Sequence, residues 1–222
     1  MELNRMKRKY NVFWQALLLA ITFLVFGLYL GITLEQGRIT EINDYYIQSE
    51  ISLIDIMALD NLVETDFLTC EKLRSVNIAL LDRVYEEAVL LDEYESAGRI
   101  TENIKSLHRK YDVLRGYLWI NSIKIKDQCS SDFDTLVYFY NYEEEELNKK
   151  AEQNVWSKVL YEIKEEKGDD VLLIPIAVDT GLESVNSLVE SYNITQFPSI
   201  IVNEEVVFEE LVEKGVILDL LN

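Results

Sequence analysis

The chain has 222 residues, 49% of them hydrophobic, with 21 Lys+Arg against 40 Asp+Glu and a formal charge of -19. That much apolar material supports one or two folded domains and argues against disorder, and so acidic a surface lacks the clustered cations that a phosphate backbone demands, which excludes nucleic acid as a partner. Two cysteines, Cys70 and Cys129, and the lone His108 fall short of the four ligands of a structural zinc site, so the sequence calls for no metal, and it calls for no cofactor.

From Tyr10 to Leu34 no residue is charged, and Val12 to Ile32 is almost wholly apolar. About 20 helical residues cross a hydrocarbon core of about 30 Å, so residues 12–34 are predicted to be a transmembrane helix. Trp14 and Tyr29 suit the two interfaces, and Gly27 and Gly31 form a small-xxx-small pair whose spacing is either incidental or a helix-pairing face. Residues 1–11 form a basic tail carrying Arg5, Lys7, Arg8 and Lys9 against Glu2. Subtracting those from totals of 21 and 40 leaves 17 basic and 39 acidic residues beyond the span, a net of -22. The positive-inside bias then puts the N-terminus in the cytoplasm and residues 35–222 outside the cell membrane, as a single-pass protein. The apolar run is long for a cleaved signal sequence and no A-x-A pattern follows it, which favours an uncleaved anchor.

Between Gly37 and Gly98 there is neither Gly nor Pro, and the first Pro is Pro175. Residues 35–130 are therefore predicted to be an all-α hairpin or coiled-coil stalk. Apolar residues recur at steps of three and four, at Leu73, Val76, Leu80, Val84, Ala88 and Leu91 and again at Ile104, Leu107, Tyr111, Leu114, Leu118 and Ile125. Gly98 reads as a C-cap and Thr101 as the next N-cap, so the chain reverses there. Cys70 lies 28 residues before Gly98 and Cys129 31 after it, which brings both to the open end of the hairpin and nominates them as a disulfide; two unpaired buried thiols are the alternative. His108, with no nucleophile near it in sequence, is expected as a solvated or partly packed surface residue.

Residues 131–222 change texture. Thr135–Tyr140 reads as a strand, Glu144–Lys167 as a helix ending at Gly168, Val171–Val178 as a second apolar strand and Leu182–Tyr192 as a helix. Pro198–Val202, a turn at Asn203-Glu204, Val206–Phe208 and a last helix towards Leu221 follow. The order βαβ-α-ββα predicts a four-stranded mixed α/β sheet covered on its faces, its first two strands parallel. Pro175 sits awkwardly in what reads as a central strand, since proline removes a ladder donor. Asn193-Ile-Thr195 is an N-glycosylation sequon, a pattern that also arises by chance.

Leu136-Val-Tyr-Phe-Tyr140, Ile176-Ala-Val-Asp179 and Tyr192-Asn-Ile-Thr-Gln-Phe-Pro198-Ser together resemble the thioredoxin-like superfamily over residues 133–222. The resemblance implies a cis Phe197-Pro198 bond, which X-Pro tolerates at modest cost. Where that family carries Cys-x-x-Cys, this chain reads Asn141-Tyr-Glu-Glu-Glu-Glu146, and carboxylates cannot perform thiol exchange. At the predicted helix start, Glu143 to Glu146 are expected to cap the helix dipole, with a cation or a basic partner as the alternative. The resemblance also implies a peptide-binding surface, by strand addition, at Gln196, Phe197 and Pro198 facing Tyr142, Glu143, Glu144 and Glu145.

These readings converge on a membrane-anchored, extracytoplasmic domain without redox chemistry, no enzyme, that acts as a protein-binding or scaffolding module. A thiol-disulfide oxidoreductase using Cys70 and Cys129 is one alternative. A coiled-coil stalk for docking or homo-oligomerisation is the other.

Overall fold

The computed structural model describes residues 13–34, 69–96, 102–129 and 133–221 and a few helical positions between 47 and 58, with backbone alone at 86–96 and 102–103. The predicted tail, the reversal at Gly98 and the cap at Thr101 lie outside the described residues. The chain divides into two units, Met1–Gln48 and Ser49–Asn222.

The first unit contains one described helix, α1 (Phe13–Leu34), whose 22 residues are long and apolar enough to cross a membrane. At ~1.5 Å per residue its length is about 33 Å. The hydroxyls of Thr22 and Thr33 donate to Leu18 O at 2.8 Å and Tyr29 O at 3.0 Å, so these polar groups are satisfied within the helix, as a hydrocarbon surrounding requires. A Cβ built on Gly27 or Gly31 meets nothing within 4 Å.

The second unit begins with α2 (Cys70–Ser96) and α3 (Glu102–Cys129). A disulfide joins Cys70, the first residue of α2, to Cys129, the last of α3. Asn77 of α2 donates to Ser122 of α3 at 2.9 Å, so the pair runs antiparallel over its described length. Leu73, Leu80, Leu81 and Val84 are buried on α2, as are Leu107, Tyr111, Leu114, Leu118 and Ile125 on α3. Val76 is only partly buried, and Asn77 takes the buried place beside it.

The sheet comprises β1 (Asp134–Tyr140), β2 (Val171–Ala177), β3 (Ser199–Val202) and β4 (Val206–Phe208), in the order β2-β1-β3-β4. β1 and β2 are parallel, and β3 runs antiparallel to both β1 and β4. Between them lie α4 (Leu147–Lys167), a short 3-10 turn (Gly168–Asp170) and α5 (Glu183–Ser191), and α6 (Lys214–Leu218) closes the unit. Side chains alternate across the sheet as the pleat dictates. Leu136, Tyr138, Ile200 and Val202 form one core with Trp156, Leu160 and Ile163 of α4 and Ile217 of α6. Val137, Phe139 and Ile201, all fully buried, point the other way, where Trp119 of α3 meets Phe139 edge-on at 5.9 Å and stacks on Tyr192 at 5.3 Å.

Three differences from the sequence reading have physical causes. Pro175 lies in β2, an edge strand of the sheet rather than a central one, where a missing N–H costs least. α4 starts at Leu147, three residues later than predicted, because the preceding turn is held by side chains. α3, placed within a separate stalk at 35–130, covers a face of the sheet, so the compact unit runs from Ser49 through the sheet without a break at residue 130. α3 also packs on α5, where a Cβ at Gly116 would make an ordinary 3.8 Å contact with Leu188 Cδ1.

Candidate functional site

The candidate surface is assembled at the end of the sheet where β1 and β2 finish and β3 begins. Phe139 pairs with Ser199 at the last step of the antiparallel register, so the residues that follow β1 and those that precede β3 leave the sheet at the same end. The Phe197-Pro198 peptide is cis. The register thus brings both predicted segments, Gln196–Pro198 and Tyr142–Glu145, to one edge. Pro198 is buried, Phe197 half-buried and Gln196 exposed.

The turn Asn141–Glu146 is braced from three sides. Asp179, just after β2, accepts the Tyr142 N–H at 2.7 Å and the Glu143 N–H at 2.8 Å, one on each carboxylate oxygen. Gln153 of α4 exchanges two hydrogen bonds with the Asn141 backbone, accepting its N–H at 2.8 Å and donating to its carbonyl at 3.2 Å. Glu144 accepts from the Asn141 amide and the Glu146 N–H, both at 2.9 Å, and those two donors hold its carboxyl below the usual carboxylate range. Glu143 pairs with Lys105 of α3. Three of the four glutamates therefore part company: Glu144 caps its own turn, Glu143 reaches α3, and the Glu146 side chain makes no cap bond to α4. Among the described residues no three His, Cys, Asp or Glu side chains gather as a metal site.

On the other segment, a single oxygen of Glu209, just beyond β4, accepts the Thr195 N–H, the Thr195 hydroxyl at 3.0 Å and the Gln196 N–H at 2.9 Å. The Thr195 and Gln196 amides, in that order, keep the Glu209 carboxyl below its ordinary value. Gln196 is consequently closed to strand addition through its N–H. Among the described residues no hydrogen bond engages the Phe197 backbone, which leaves Phe197 as the main-chain step open to an incoming strand.

Behind this edge lies a buried polar cluster around His108, a residue the sequence reading expects to be solvated or partly packed at the surface. His108 is only 6% exposed. Its ring packs on Tyr142 with centroids 4.0 Å apart, its Nε2 lies 3.1 Å from the Tyr140 hydroxyl, and Asp112 stands 3.7 Å away. Asp112 is fully buried; its Oδ1 accepts the Ala177 N–H at 3.1 Å and lies 3.5 Å from Arg115, while its Oδ2 has no hydrogen-bond partner. Burial raises the Asp112 carboxyl above its ordinary value, against the opposing pull of Arg115 and His108. The overlooked signal was a second helical stripe on α3, at His108, Asp112, Arg115, Trp119 and Lys126, which runs beside the apolar stripe facing α2 and turns towards the sheet.

The two sulfurs sit elsewhere. Cys129 ends α3 next to Lys126, whose ammonium reaches Thr135 at the start of β1. A seven-residue strand spans about 20 Å, and the disulfide lies at its far end from the candidate edge. A cleft of about 380 Å³ opens along α2 between Asp55, Lys72 and Arg83, and none of the candidate contact residues lines it. No family model matches the chain, and the curated proteins contain no match to it.

Proposed function

We propose that this chain is a single-pass membrane protein, with its basic tail in the cytoplasm, that displays a thioredoxin-like domain without redox chemistry outside the cell membrane as a protein-binding or scaffolding module. The observation that supports the reading is the register of β1 against β3: Phe139 pairs with Ser199, so the chain enters β3 from Phe197-Pro198 at the end of the sheet where β1 leaves for Asn141–Glu146, a turn whose sequence contains no sulfur and no histidine. The strand order β2-β1-β3-β4, parallel then antiparallel, and the apolar helix α1 are consistent with it. The partner is an extended peptide that adds to the Phe197 backbone, with main-chain hydrogen bonds giving affinity and the neighbouring Tyr142 turn giving selectivity. The Cys70–Cys129 disulfide acts as a staple at the open end of α2 and α3, and its distance from the candidate edge weighs against the oxidoreductase alternative. No observation favours α2 and α3 as an oligomerisation stalk over a helical layer of the domain.

An array of extended peptides probed with the full-length chain in detergent tests this. Phe197→Asp, which puts a charge at the docking step, is expected to abolish capture, while Tyr161→Asp on the exposed side of α4 leaves capture unchanged. Equal capture by the Phe197→Asp chain overturns the reading.

A further inference from the structure

The sequon Asn193-Ile-Thr195 falls at a place in the fold where a covalent sugar can be carried. α5 ends at Ser191, and Asn193 follows in a turn with φ of 54°, a left-handed conformation that Asn and Asp adopt more readily than other side-chain-bearing residues. Its N–H donates to Glu190 O at 3.1 Å, which fixes the turn through the backbone. Its side chain is exposed and its amide has no hydrogen-bond partner among the described residues, so the amide nitrogen is held out in solvent while the backbone around it is ordered. Ile194, by contrast, is buried and anchors the next residue in the core. A bulky polar group on Asn193 displaces nothing.

We propose that Asn193 is an N-glycosylation site that takes an oligosaccharide from a lipid-linked phosphosugar donor. In that transfer the Asn193 Nδ2 forms a bond to the anomeric carbon of the sugar. The carbon–oxygen bond to the donor's phosphate breaks, the electron pair leaves with the phosphate, and one Nδ2 proton is lost to solvent. The inference rests on the extracytoplasmic placement of residues 35–222 proposed above, because lipid-linked donors deliver their sugars on that side of the membrane. The fold also sets the order of events. Both the hydroxyl and the N–H of Thr195, which complete the sequon, are held by Glu209 in the finished structure. Transfer therefore precedes the docking of Glu209 on this turn, as the chain emerges. The sugar then stands three residues ahead of Gln196, at one flank of the proposed docking step, and excludes partners that would approach broadly across the end of α5.

The full-length chain isolated from its own membrane tests the assignment, by the mass of the peptide containing Asn193 before and after glycosidase treatment. In parallel, protease is added to sealed cells to report which side of the membrane holds the domain. The expected result is a glycopeptide that collapses to the bare mass on treatment. The shift is lost in Asn193→Asp, which keeps a residue at ease with positive φ, and retained in Thr195→Ser. Bare Asn193 on a protease-accessible domain overturns the glycosylation site and leaves the topology standing. Bare Asn193 on a protected domain overturns both.

Discussion

One helix is fastened to the sheet at both ends, and the two fastenings are built differently. At the start of β1, the Lys126 ammonium spends its three protons on Thr135 Oγ1 at 3.0 Å, Asn203 Oδ1 at 3.1 Å and Glu204 Oε2 at 3.0 Å. Glu204 in turn accepts from Trp119 at 2.8 Å and the Thr135 hydroxyl at 2.5 Å, and Asn203 donates to Asp134 at 2.7 Å. Asn203 and Glu204 have φ of 50° and 60°, so the β3–β4 turn holds two residues in left-handed backbone, and their side chains carry the fastening. At the finish of β2, Asp112 is buried: its Oδ1 accepts the Ala177 N–H at 3.1 Å and lies 3.5 Å from Arg115, while its Oδ2 accepts no hydrogen bond and stands 3.7 Å from His108. A saturated network sets position; an unsaturated one leaves unspent a buried acceptor, which costs about 1–3 kcal/mol when nothing meets it. The slack lies directly behind the Tyr142 turn, beside the proposed docking step, and the rigid fastening lies at the far end of the sheet.

The largest expected effect removes the aromatic that stands on α3 between the two fastenings. Trp119 is fully buried between Phe139 and Tyr192, and Trp119→Ala is expected to cost about 3–5 kcal/mol in chemical denaturation, with α3 loosened along its whole length. Next comes the saturated end alone: Glu204→Gln leaves Lys126 with a neutral partner in a half-buried site and is expected to cost about 2 kcal/mol, while the Tyr142 turn keeps its native chemical shifts. Equal disturbance of Tyr142 and Thr135 by this variant would erase the distinction between the two ends.

The smallest effect concerns slope rather than magnitude. The folded protein holds the Asp112 carboxyl above its ordinary value, so the folded state keeps the proton longer than the unfolded chain does. That contribution is fully present below the unfolded value of 3.8 and is lost as pH rises through the raised folded value, so Asp112 makes stability fall over that window. Asp112→Asn is expected to remove this component of the pH profile, read by denaturation midpoints measured across it. An unchanged profile would place the titrating group elsewhere.

The contrast also explains what the sequence made legible. Period-two and period-3.6 patterns report burial against one neighbour, and they lead to the element order, the parallel pairing of the first two strands and the helix pair, while spacing about Gly98 nominates the cysteine pair. α3 packs on α2 and also on β2 and α5, and its second face mixes polar with apolar residues. His108 reads as a solvated or partly packed surface residue until the sheet is placed against it, and Asp112, Arg115 and Lys126 on the same side of α3 carry no apolar signal that announces the contact. Pro175 misled for the opposite reason: its apolar run looked central, and only the strand order makes it an edge. At the candidate site, Phe197 and Pro198 were legible as a motif, whereas the bracing carboxylates of Asp179 and Glu209 come from distant segments, 37 and 13 residues from the amides they hold, and leave no periodic trace.

The central claim is that the Phe197 step is where this domain meets another protein. A photocrosslinking side chain placed at position 197 of the full-length chain in its own membrane tests it most directly, with the same probe at Tyr161 on the exposed side of α4 as reference. The account predicts a discrete protein adduct at 197 that is absent at 161. Matching adducts at both positions, or none at 197, would contradict it.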